Sequence, residues 1–369
     1  MGLDALIVLP SFGSGGAERV VSLLASDWSR RGYKVAIYVI DGSDSNQWFY
    51  QVSDLVLAET KAVRQGTGCS RETGFTWLCR LLDLRRVLQR SGPSTVVGFL
   101  PAGNVYSILA SIGLSHRVII SERNCIKKRK LPFKWRLLRR LCYRLADCLV
   151  VNLATNVREA RPFVSEKRVR HLKNPFSPPK VSCPAERAPT VLAIGRYTEQ
   201  KRLDLVIQAF EESGLADSGW RLDIVGEGEM GKELKHFAAS QRSSGDIHFI
   251  RPYPELWNDY SSASIFVLMS AYEGMPNALL EAMYCGLIPL VSPGVGDLVN
   301  PIREADPRLI IDSWSAITLG VRMNQIASDS GAWTELRDVL AKVIEPYFSP
   351  EVEQEWARLV FHVTDRENQ

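Results

Sequence analysis

Residues 5–21 of the chain read ALIVLPSFGSGGAERVV, an apolar run that passes through a glycine-rich turn into a mixed apolar and polar stretch. This order predicts a buried β-strand, a tight turn over 11–16 and a helix over about 17–31. Backbone N–H groups at a helix N-terminus, next to flexible glycines, favour an anion. The first question is therefore which anion, if any, this turn faces.

Three interpretations of the glycine turn are open from these residues. Gly13 and Gly15 after the first strand, with Asp41 at the end of the second, form part of a dinucleotide-binding pattern, which would suit a hydride-transfer enzyme that binds NAD. Glu18 stands where that pattern requires Gly or Ala, and this counts against it. A turn that binds the phosphates of another ligand, or a turn without a ligand, is compatible with the same residues.

Apolar, strand-like runs alternate with helical stretches along most of the chain, which predicts parallel sheets covered on both faces by helices. Residues 174–189, NPFSPPKVSCPAERAP, contain five prolines and little apolar periodicity, as is typical of a linker. We therefore expect an α/β protein of two doubly wound, Rossmann-like domains, residues 1–173 and 190–348. Residues 349–369 are predicted to contain an amphipathic C-terminal helix.

Composition favours a soluble protein of a reducing compartment. The chain has 369 residues, a net charge of +4 and seven cysteines without C-x-x-C or metal-ligand spacing. No apolar run reaches the roughly 18 residues that a membrane-spanning helix needs, and the N-terminus lacks the pattern of a signal peptide. We expect a cytoplasmic protein that binds peripherally to the inner face of the cell membrane.

Two segments after the linker carry groups suited to a nucleotide. In AIGRYTEQKR, Arg196 and Lys201 flank the loop between a strand and a helix, where cations favour phosphate. In DIVGEGEM, Gly226 and Gly228 end the next strand and would permit a nucleobase to approach closely. Taken alone, Arg196 and Lys201 are equally compatible with ordinary surface charges.

A third segment, SAYEGMPNALLEAMYCG, places two carboxylates near a helix N-terminus. Glu273 lies in a predicted loop, Pro276 can begin a helix, and Glu281 follows one to two turns inside it. A carboxylate that faces a ribose accepts hydrogen bonds from both hydroxyls. Taken alone, Glu281 fits an exposed helical side chain better than a ligand contact.

Together and in this order, the motifs resemble those of the retaining glycosyltransferases of family 4, which have the GT-B fold. The matching features are GGAERVV near the start, GRYTEQK after the linker and EGMPNALLEAMYCG, in which Glu273 and Glu281 are separated by seven residues as in the family's E-x7-E element. The resemblance implies a C-terminal helix that crosses back to the first domain. It also implies that Gly15 and Gly16 line the cleft near the donor diphosphate, and that no nicotinamide is bound.

The resemblance assigns roles to the motif residues in the transfer of a sugar from a nucleotide diphospho-sugar, with retention at the anomeric carbon. Arg196 and Lys201 would stabilise the leaving diphosphate in place of a metal ion, while Glu273 would hold the transferred sugar. Glu281 would hold the ribose. The other predicted donor contacts are Gly226, Gly274, Met275, Pro276 and Asn277. No metal and no further cofactor are implied.

The chain departs from the family pattern in VIISERNC, where Arg123 replaces a histidine that many relatives place near the reacting sugar. Glu122 and Arg123 are either a pair that faces the cleft or an ion pair at the start of a helix. The SERN sequence is similar to that of enzymes that build bacterial surface polysaccharides.

Residues 127–144, KKRKLPFKWRLLRRLCYR, contain nine basic residues and no acidic one. A helical wheel from Pro132 separates two arcs. The apolar arc consists of Leu137, Leu138, Leu141 and Leu145. The cationic arc consists of Arg136, Arg139, Arg140 and Arg144. We expect the leucines in the core and the arginines, with the preceding basic loop, against an anionic membrane surface or a lipid diphosphate. An ordinary surface helix is the alternative, and a nucleic-acid partner is disfavoured because aromatic residues are sparse.

The WR-x-LRR pattern of this segment is similar to that of enzymes that add GalNAc to undecaprenyl-linked oligosaccharides. We therefore predict a glycosyltransferase that moves a hexose or N-acetylhexosamine, with UDP-GalNAc or UDP-GlcNAc favoured as donor. The predicted acceptor is a lipid-linked glycan in cell-surface polysaccharide or oligosaccharide assembly. A GDP-mannose-dependent mannosyltransferase is the second candidate. A catalytically silent GT-B binding protein is the candidate of another class.

Overall fold

The computed structural model describes residues 2–42, 45, 48–64, 76–176, 178, 187–253, 256–329, 333–348 and 350–362. The chain forms two compact units, one of Met1–Phe176 with Ser349–Gln369 and one of Ser177–Phe348. Residues 177 and 179–186 of the predicted linker, and residues 363–369 at the C-terminus, lie outside the described part.

The first unit contains a six-stranded parallel sheet with the strand order β2-β1-β3-β4-β5-β6. The strands are β1 (Ala5–Leu9), β2 (Val35–Val39), β3 (Thr95–Phe99), β4 (Arg117–Glu122), β5 (Cys148–Val151) and β6 (Val169–His171). The first, second, third and fifth strands are buried along their whole length, as their continuous apolar sequences predict. The helices are α1 (Gly16–Arg30), α2 (Asp54–Arg64), α3 (Thr76–Ser91), α4 (Leu100–Ser111), α5 (Phe133–Cys142) and α6 (Ala154–Glu159).

The second unit repeats this architecture with a five-stranded parallel sheet in the order β11-β10-β7-β8-β9. Its strands are β7 (Thr190–Ile194), β8 (Arg221–Val225), β9 (Ile247–Ile250), β10 (Ile265–Leu268) and β11 (Ile288–Val291). Its helices are α7 (Leu203–Ser213), α8 (Gly231–Ala239), α9 (Trp257–Ser262), α10 (Asn277–Tyr284), α11 (Val299–Ala305), α12 (Ala316–Ser328) and α13 (Trp333–Ile344). The predicted α/β class with two parallel sheets is thus confirmed.

The last helix, α14 (Pro350–Phe361), packs on the first sheet. Its Trp356 is fully buried, stacks on Phe99 with ring centres 5.9 Å apart, and donates a hydrogen bond from Nε1 to the Lys173 carbonyl at 3.1 Å. Thr95 Oγ1 donates to the Val360 carbonyl at 2.9 Å. The C-terminal segment therefore completes the core of the first unit.

The described helices include none that is long and apolar enough to cross a membrane.

Candidate active site

The order of strands changes direction between β7 and β10 in the second sheet, because β8 and β9 extend to one side of β7 and β10 and β11 to the other. Open parallel sheets bind ligands outside the carboxyl ends of the strands at such a point. The loop after β7 carries Arg196 and Lys201, and the loop after β10 carries Glu273. Three predicted catalytic residues therefore follow two adjacent strands.

Gln200 joins these two loops directly. Its side-chain Nε2 donates to the Tyr272 carbonyl at 2.6 Å, and its own carbonyl accepts from the Ala271 N–H at 2.8 Å. No role for Gln200 follows from the sequence, although Gln200 stands beside Lys201 in the GRYTEQK motif. Its partners lie about seventy positions later, so its function could not be inferred from local sequence.

Lys201 and Glu273 form an ion pair, with Lys201 Nζ 2.7 Å from Glu273 Oε1 and both side chains largely buried. The lysine side chain crosses the backbone of Gly195, where a Cβ atom would lie 2.9 Å from Lys201 Cε. Because glycine lacks a Cβ atom, position 195 leaves room for the Lys201 side chain to reach the Glu273 carboxylate. The structure brings this cation and this carboxylate together at the edge of the sheet.

Arg196 is exposed on the same loop, which is anchored by its neighbour Tyr197. The Tyr197 hydroxyl donates to the Ile224 carbonyl at 3.0 Å, and its N–H donates to the Glu227 carbonyl at 2.9 Å. Burial, with a smaller contribution from Glu227, raises the pKa of Tyr197 to about 12. The aromatic side chain thus points inward and the guanidinium of Arg196 outward.

Close packing of two loops explains Gly226 and Gly228. A Cβ atom on Gly226 would lie 2.0 Å from the Gly195 carbonyl oxygen, and one on Gly228 would lie 2.5 Å from the Tyr197 carbonyl oxygen. Any larger residue would push the loops apart. Contact of Gly226 with a nucleobase is not needed to account for these glycines and stays a prediction.

Helix α10 begins at Asn277, with Pro276 as its N-cap residue, and Gly274 and Met275 lie in the loop before it. One turn inside, Glu281 is buried, and its Oε2 accepts a hydrogen bond from the Tyr260 hydroxyl at 2.7 Å. The alternative that Glu281 is an exposed helical side chain is therefore wrong.

The glycine turn of the first unit follows β1, where the strand order also changes direction, because β2 lies on one side and β3 on the other. Gly15 is the N-cap residue of α1, and Gly16 is exposed as its first residue. Glu18 folds over Gly15 so closely that a Cβ atom there would lie 2.3 Å from its Oε2. A carboxylate thus occupies the helix N-terminus, where a dinucleotide would place its pyrophosphate.

Glu122 ends β4 and lies in the interior of the first unit. Its Oε1 accepts from the Tyr143 hydroxyl at 2.7 Å, and that hydroxyl accepts from Asn104 Nδ2 at 2.8 Å. Burial raises the pKa of the Glu122 carboxyl, while the bond from Tyr143 acts in the opposite direction. Arg139 Nη1 is 4.0 Å from the same carboxylate oxygen.

Arg123 is buried beside Trp356, with its Cζ 5.6 Å from the centre of the indole ring. Nη1 donates to Ser121 Oγ at 3.4 Å, whereas Nε and Nη2 have no hydrogen-bond partner within the described chain. Burial lowers the pKa of this guanidinium to about 9. The expected ion pair at the start of a helix is wrong, because Glu122 and Arg123 have different partners rather than each other. The expectation that the two residues face the cleft stays a prediction.

The predicted orientation of the basic helix is wrong for three of its four leucines and for Arg139, whereas Leu138 packs inward and the other three arginines are exposed as predicted. Leu137, Leu141 and Leu145 are 44%, 51% and 58% exposed, and Phe133 is 70% exposed, whereas Arg139 is only 7% exposed. The helix packs through Trp135, Leu138 and Cys142, of which only Leu138 belongs to the predicted apolar arc. The helical wheel did not predict this orientation, because the Arg139 side chain turns inward toward the Glu122 carboxylate and the Phe163 ring. The exposed surface therefore combines leucines with Arg136, Arg140 and Arg144.

Across the described ranges, no three His, Cys, Asp or Glu side chains are grouped so that they could hold a metal ion.

Two family models match the chain: "Glycosyl transferases group 1" over residues 179–343 and "Glycosyl transferase 4-like domain" over residues 15–175. The chain is 25% identical over 362 residues, 96% of its length and 98% of the relative's, to a Campylobacter jejuni enzyme. That enzyme is named GalNAc-α-(1→4)-GalNAc-α-(1→3)-diNAcBac-PP-undecaprenol α-1,4-N-acetyl-D-galactosaminyltransferase.

A second relative is a GDP-mannose:cellobiosyl-diphosphopolyprenol α-mannosyltransferase from Komagataeibacter xylinus. It is 30% identical over 189 residues, which cover 45% of this chain and 48% of the relative. Among solved structures, Anabaena Alr3699/HepE in complex with UDP and glucose superposes with a TM-score of 0.77 at 13% identity, covering 98% of this chain and 100% of that one. This likeness in fold confirms the predicted GT-B architecture.

Proposed function

The chain belongs to the glycosyltransferases of the group 1 and 4-like families, and from this premise we propose that it moves an N-acetylhexosamine from a UDP-sugar to a lipid-linked glycan. The ion pair of Lys201 with Glu273, beside Arg196, is the observation that carries the proposal. Cations that suit a diphosphate and a carboxylate that suits sugar hydroxyls support the proposal in this position, because parallel sheets bind ligands there.

In the proposed reaction, the bond from the anomeric carbon to the diphosphate oxygen breaks, and a bond to an acceptor hydroxyl oxygen forms on the same face of the sugar. The acceptor proton passes to the leaving phosphate oxygen, so that no protein nucleophile is required. Arg196 and Lys201 stabilise the charge that develops on the diphosphate, which makes a metal ion unnecessary. Glu273 accepts hydrogen bonds from the transferred sugar.

The remaining donor contacts are proposed along the helix that begins at Asn277. Glu281 accepts hydrogen bonds from the ribose hydroxyls, and its bond from Tyr260 fixes the carboxylate. Gly274, Met275 and Pro276 bring backbone toward the sugar and phosphate. Gly226 completes the proposed contacts in this unit, and contact of Gly15 and Gly16 with the donor stays a prediction.

UDP-GalNAc or UDP-GlcNAc is favoured because the C. jejuni relative, which matches almost the whole chain, is named as an N-acetyl-D-galactosaminyltransferase. GDP-mannose is the second candidate, favoured by the name of the K. xylinus relative. The names of both relatives specify an acceptor glycan that is carried on a polyprenol diphosphate, which supports a lipid-linked acceptor here.

A donor screen tests the proposal. Slow hydrolysis of UDP-GalNAc, UDP-GlcNAc, UDP-glucose and GDP-mannose is compared, with parallel titrations of UDP, GDP and NAD. We expect UDP binding and hydrolysis of a UDP-N-acetylhexosamine. Preference for GDP-mannose would support the second candidate. Binding of UDP or GDP without turnover of any donor would indicate a catalytically silent binding protein. Binding of NAD alone would contradict both glycosyltransferase candidates.

On the acceptor side, we propose that α5 lies on the inner face of the cell membrane. Its exposed leucines suit the acyl boundary of a bilayer, and Arg136, Arg140 and Arg144 suit anionic head groups. Arg123 is proposed to contact the acceptor, since its buried charge is poorly compensated. Glu122, inside the unit, is a positioning residue for Tyr143 and Arg139.

A further inference from the structure

Arg123 and Asn152 lie together at the carboxyl ends of β4 and β5 in the first unit. Glu122 and Val151 are partners in the parallel ladder, and Arg123 and Asn152 are the residues that follow them. Asn152 Nδ2 donates a hydrogen bond to the Arg123 carbonyl at 3.4 Å, which links the two residues. Both are buried, Arg123 with 8% of its surface exposed and Asn152 with 1%. Open parallel sheets bind ligands outside this edge.

The guanidinium of Arg123 leaves two of its nitrogens unused within the described ranges. Nη1 donates to Ser121 Oγ at 3.4 Å, whereas Nε and Nη2 have no hydrogen-bond partner there. The N–H bonds of Nε and Nη2 are parallel, and together they form the side-on fork that binds both oxygens of a carboxylate. The unused donors of Arg123 are therefore those of a complete bidentate site.

The positive charge of Arg123 lacks a counter-ion in the part of the chain that the structure describes. The adjacent Glu122 accepts from the Tyr143 hydroxyl and lies near Arg139 instead. Burial lowers the pKa of the Arg123 guanidinium to about 9, as expected for a cation that no carboxylate stabilises. A buried cation is unfavourable unless an anion accompanies it, so this position favours an anionic ligand.

Asn152 offers the complementary group, a hydrogen-bond acceptor. Its Oδ1 is buried and accepts no hydrogen bond from the described residues. An amide oxygen requires an O–H or N–H donor. The described contacts of Arg123 are with Ser121, Asn152 and Trp356, none of which is charged. One isolated positive charge matches a carboxylate better than a diphosphate, and the amide oxygen matches a hydroxyl.

We propose that Arg123 and Asn152 bind a sugar acid in the acceptor glycan, an inference that rests on the proposed function. A hexuronic acid has a carboxylate attached to C5 and a hydroxyl on the neighbouring C4, so that one sugar can meet the fork of Arg123 and the amide oxygen of Asn152. A neutral sugar in this position leaves the guanidinium unpaired. Arg123 is then a specificity-determining residue, which selects acidic over neutral glycans.

Binding requires the Arg123 side chain to rotate, because Nε and Nη2 are buried. The hydrogen bond that such a rotation breaks, from Nη1 to Ser121 Oγ, is long at 3.4 Å and therefore weak. The bidentate bond to a carboxylate, which is assisted by charge on both partners, more than replaces it.

The experiment uses the full chain, with and without saturating UDP. The probes are the methyl glycosides of glucuronic, galacturonic and mannuronic acid. Each acid is compared with its own methyl ester, which keeps the ring and its hydroxyls but has no charge. Ligand-observed NMR gives the affinities, and a thermal melt gives the transition temperature of each variant.

The variants are Arg123→Met, which removes the charge, and Arg123→Lys, which keeps the charge but not the fork. Arg117→Gln is the matched control. Arg117 begins the same strand, and its Nη1 donates to the Leu359 carbonyl of α14, the helix that also carries Trp356. A merely structural role of Arg123 beside α14 would make its variants behave as this control does.

We expect at least one free acid to bind the wild type about 10- to 100-fold more tightly than its ester, the range for hydrogen bonds to a charged group. Arg123→Met should reduce this preference to within about twofold of none, and Arg123→Lys should leave an intermediate preference. The transition temperature of Arg123→Met should be unchanged or higher, because an uncompensated buried charge is removed. Arg117→Gln should lower the transition temperature and keep the preference for the acid.

Equal affinities of every acid and its ester for the wild type would overturn the proposal, as would a preference that persists in Arg123→Met. If Arg123→Met does not fold, an unchanged preference in Arg123→Lys has the same consequence.

A second arm locates the carboxylate. Hydrolysis of UDP-glucuronic acid and UDP-galacturonic acid is compared with that of UDP-GlcNAc. A uronate donor that the wild type prefers and Arg123→Met does not would place the carboxylate on the donor and overturn its assignment to the acceptor. Failure of the wild type to bind UDP or hydrolyse any donor would contradict the proposed function instead, and the comparison of acid with ester in the absence of UDP is independent of that result.

Discussion

The ion pair between Lys201 and Glu273 is the feature of the candidate site that a single substitution tests most directly. We expect Lys201→Ala to lower turnover by about 10²–10³, because one charge-stabilising donor to the leaving diphosphate is lost. Arg196→Ala should have an effect of similar size. Initial rates with the preferred donor are the measurement. The control is Arg202→Ala, since Arg202 pairs with Asp204. An equal loss in the control would contradict the assigned role.

Glu281 has a structural partner as well as a proposed ligand, so the test must separate the two. Glu281→Gln keeps an oxygen that can accept from Tyr260, but it removes the charge that the ribose hydroxyls would use. We expect UDP binding to weaken by about 1.5–3 kcal/mol. Calorimetry with UDP gives the affinity, and a thermal melt shows whether the fold is intact. Unchanged affinity in a folded variant would leave Glu281 with a structural role only.

At the scale of the element, the exposed surface of α5 predicts insertion into a bilayer. Leu137→Ser with Leu141→Ser should alter stability little, because both side chains are exposed. Binding to anionic vesicles should weaken by at least about tenfold, since burial of a leucine contributes about 1.5–3 kcal/mol. Co-sedimentation with anionic and neutral vesicles is the measurement, and binding should fall as ionic strength rises.

The matched control is Ile317→Ser with Val321→Ser, which removes two exposed apolar side chains from α12 in the other unit. Vesicle binding should be unaffected by this change. If both double variants bind as the wild type does, the leucines of α5 do not enter the membrane.

The strands and their order along the chain could be predicted because each buried strand carries its own apolar signal in consecutive residues. The orientation of α5 could not be predicted in the same way, since the helical wheel placed every leucine inward. Arg139 lies inward because of Glu122 and Phe163, and neither belongs to that helix. The position of Arg123 likewise depends on Trp356, which lies near the other end of the chain. Local periodicity carries no information about such partners.

The candidate site, like the fold, could be predicted from the sequence only in part. Lys201 could be predicted because cations in a loop between a strand and a helix favour phosphate, whereas the role of Glu273 came from the resemblance to the family's E-x7-E element. Their direct contact, and the bond of Gln200 to Tyr272, depend on β7 and β10 being neighbours. Strand order is a property of the folded unit rather than of any one segment.

For the whole molecule, we expect transfer to persist in EDTA, because Arg196 and Lys201 supply the positive charge at the leaving diphosphate. The measurement is the initial rate with and without the chelator, after prior dialysis to remove divalent ions. Restoration of activity by Mg²⁺ or Mn²⁺ alone would show that a metal ion takes part in the chemistry.

The C-terminal helix should govern the stability of the first unit. Trp356 is fully buried against Phe99, so Trp356→Ala should cost about 3–5 kcal/mol. Calorimetry of the full chain should show a lower transition temperature for one unit, while UDP protection of the other is retained. Trp77→Ala, at an exposed tryptophan of the same unit, is the control and should change little.

The return of α14 to the first sheet has a consequence for the order of events on the ribosome. Synthesis of Ser177–Phe348 takes about 10–30 s at roughly 5–20 residues per second. During that interval the first sheet has been made but lacks Trp356 and its neighbours, whereas the second sheet consists of one uninterrupted segment. A nascent chain that stalls before Pro350 therefore contains every residue of the second sheet, while the first sheet still exposes an apolar face. The first unit, although it is synthesised first, is then the last to reach its native structure.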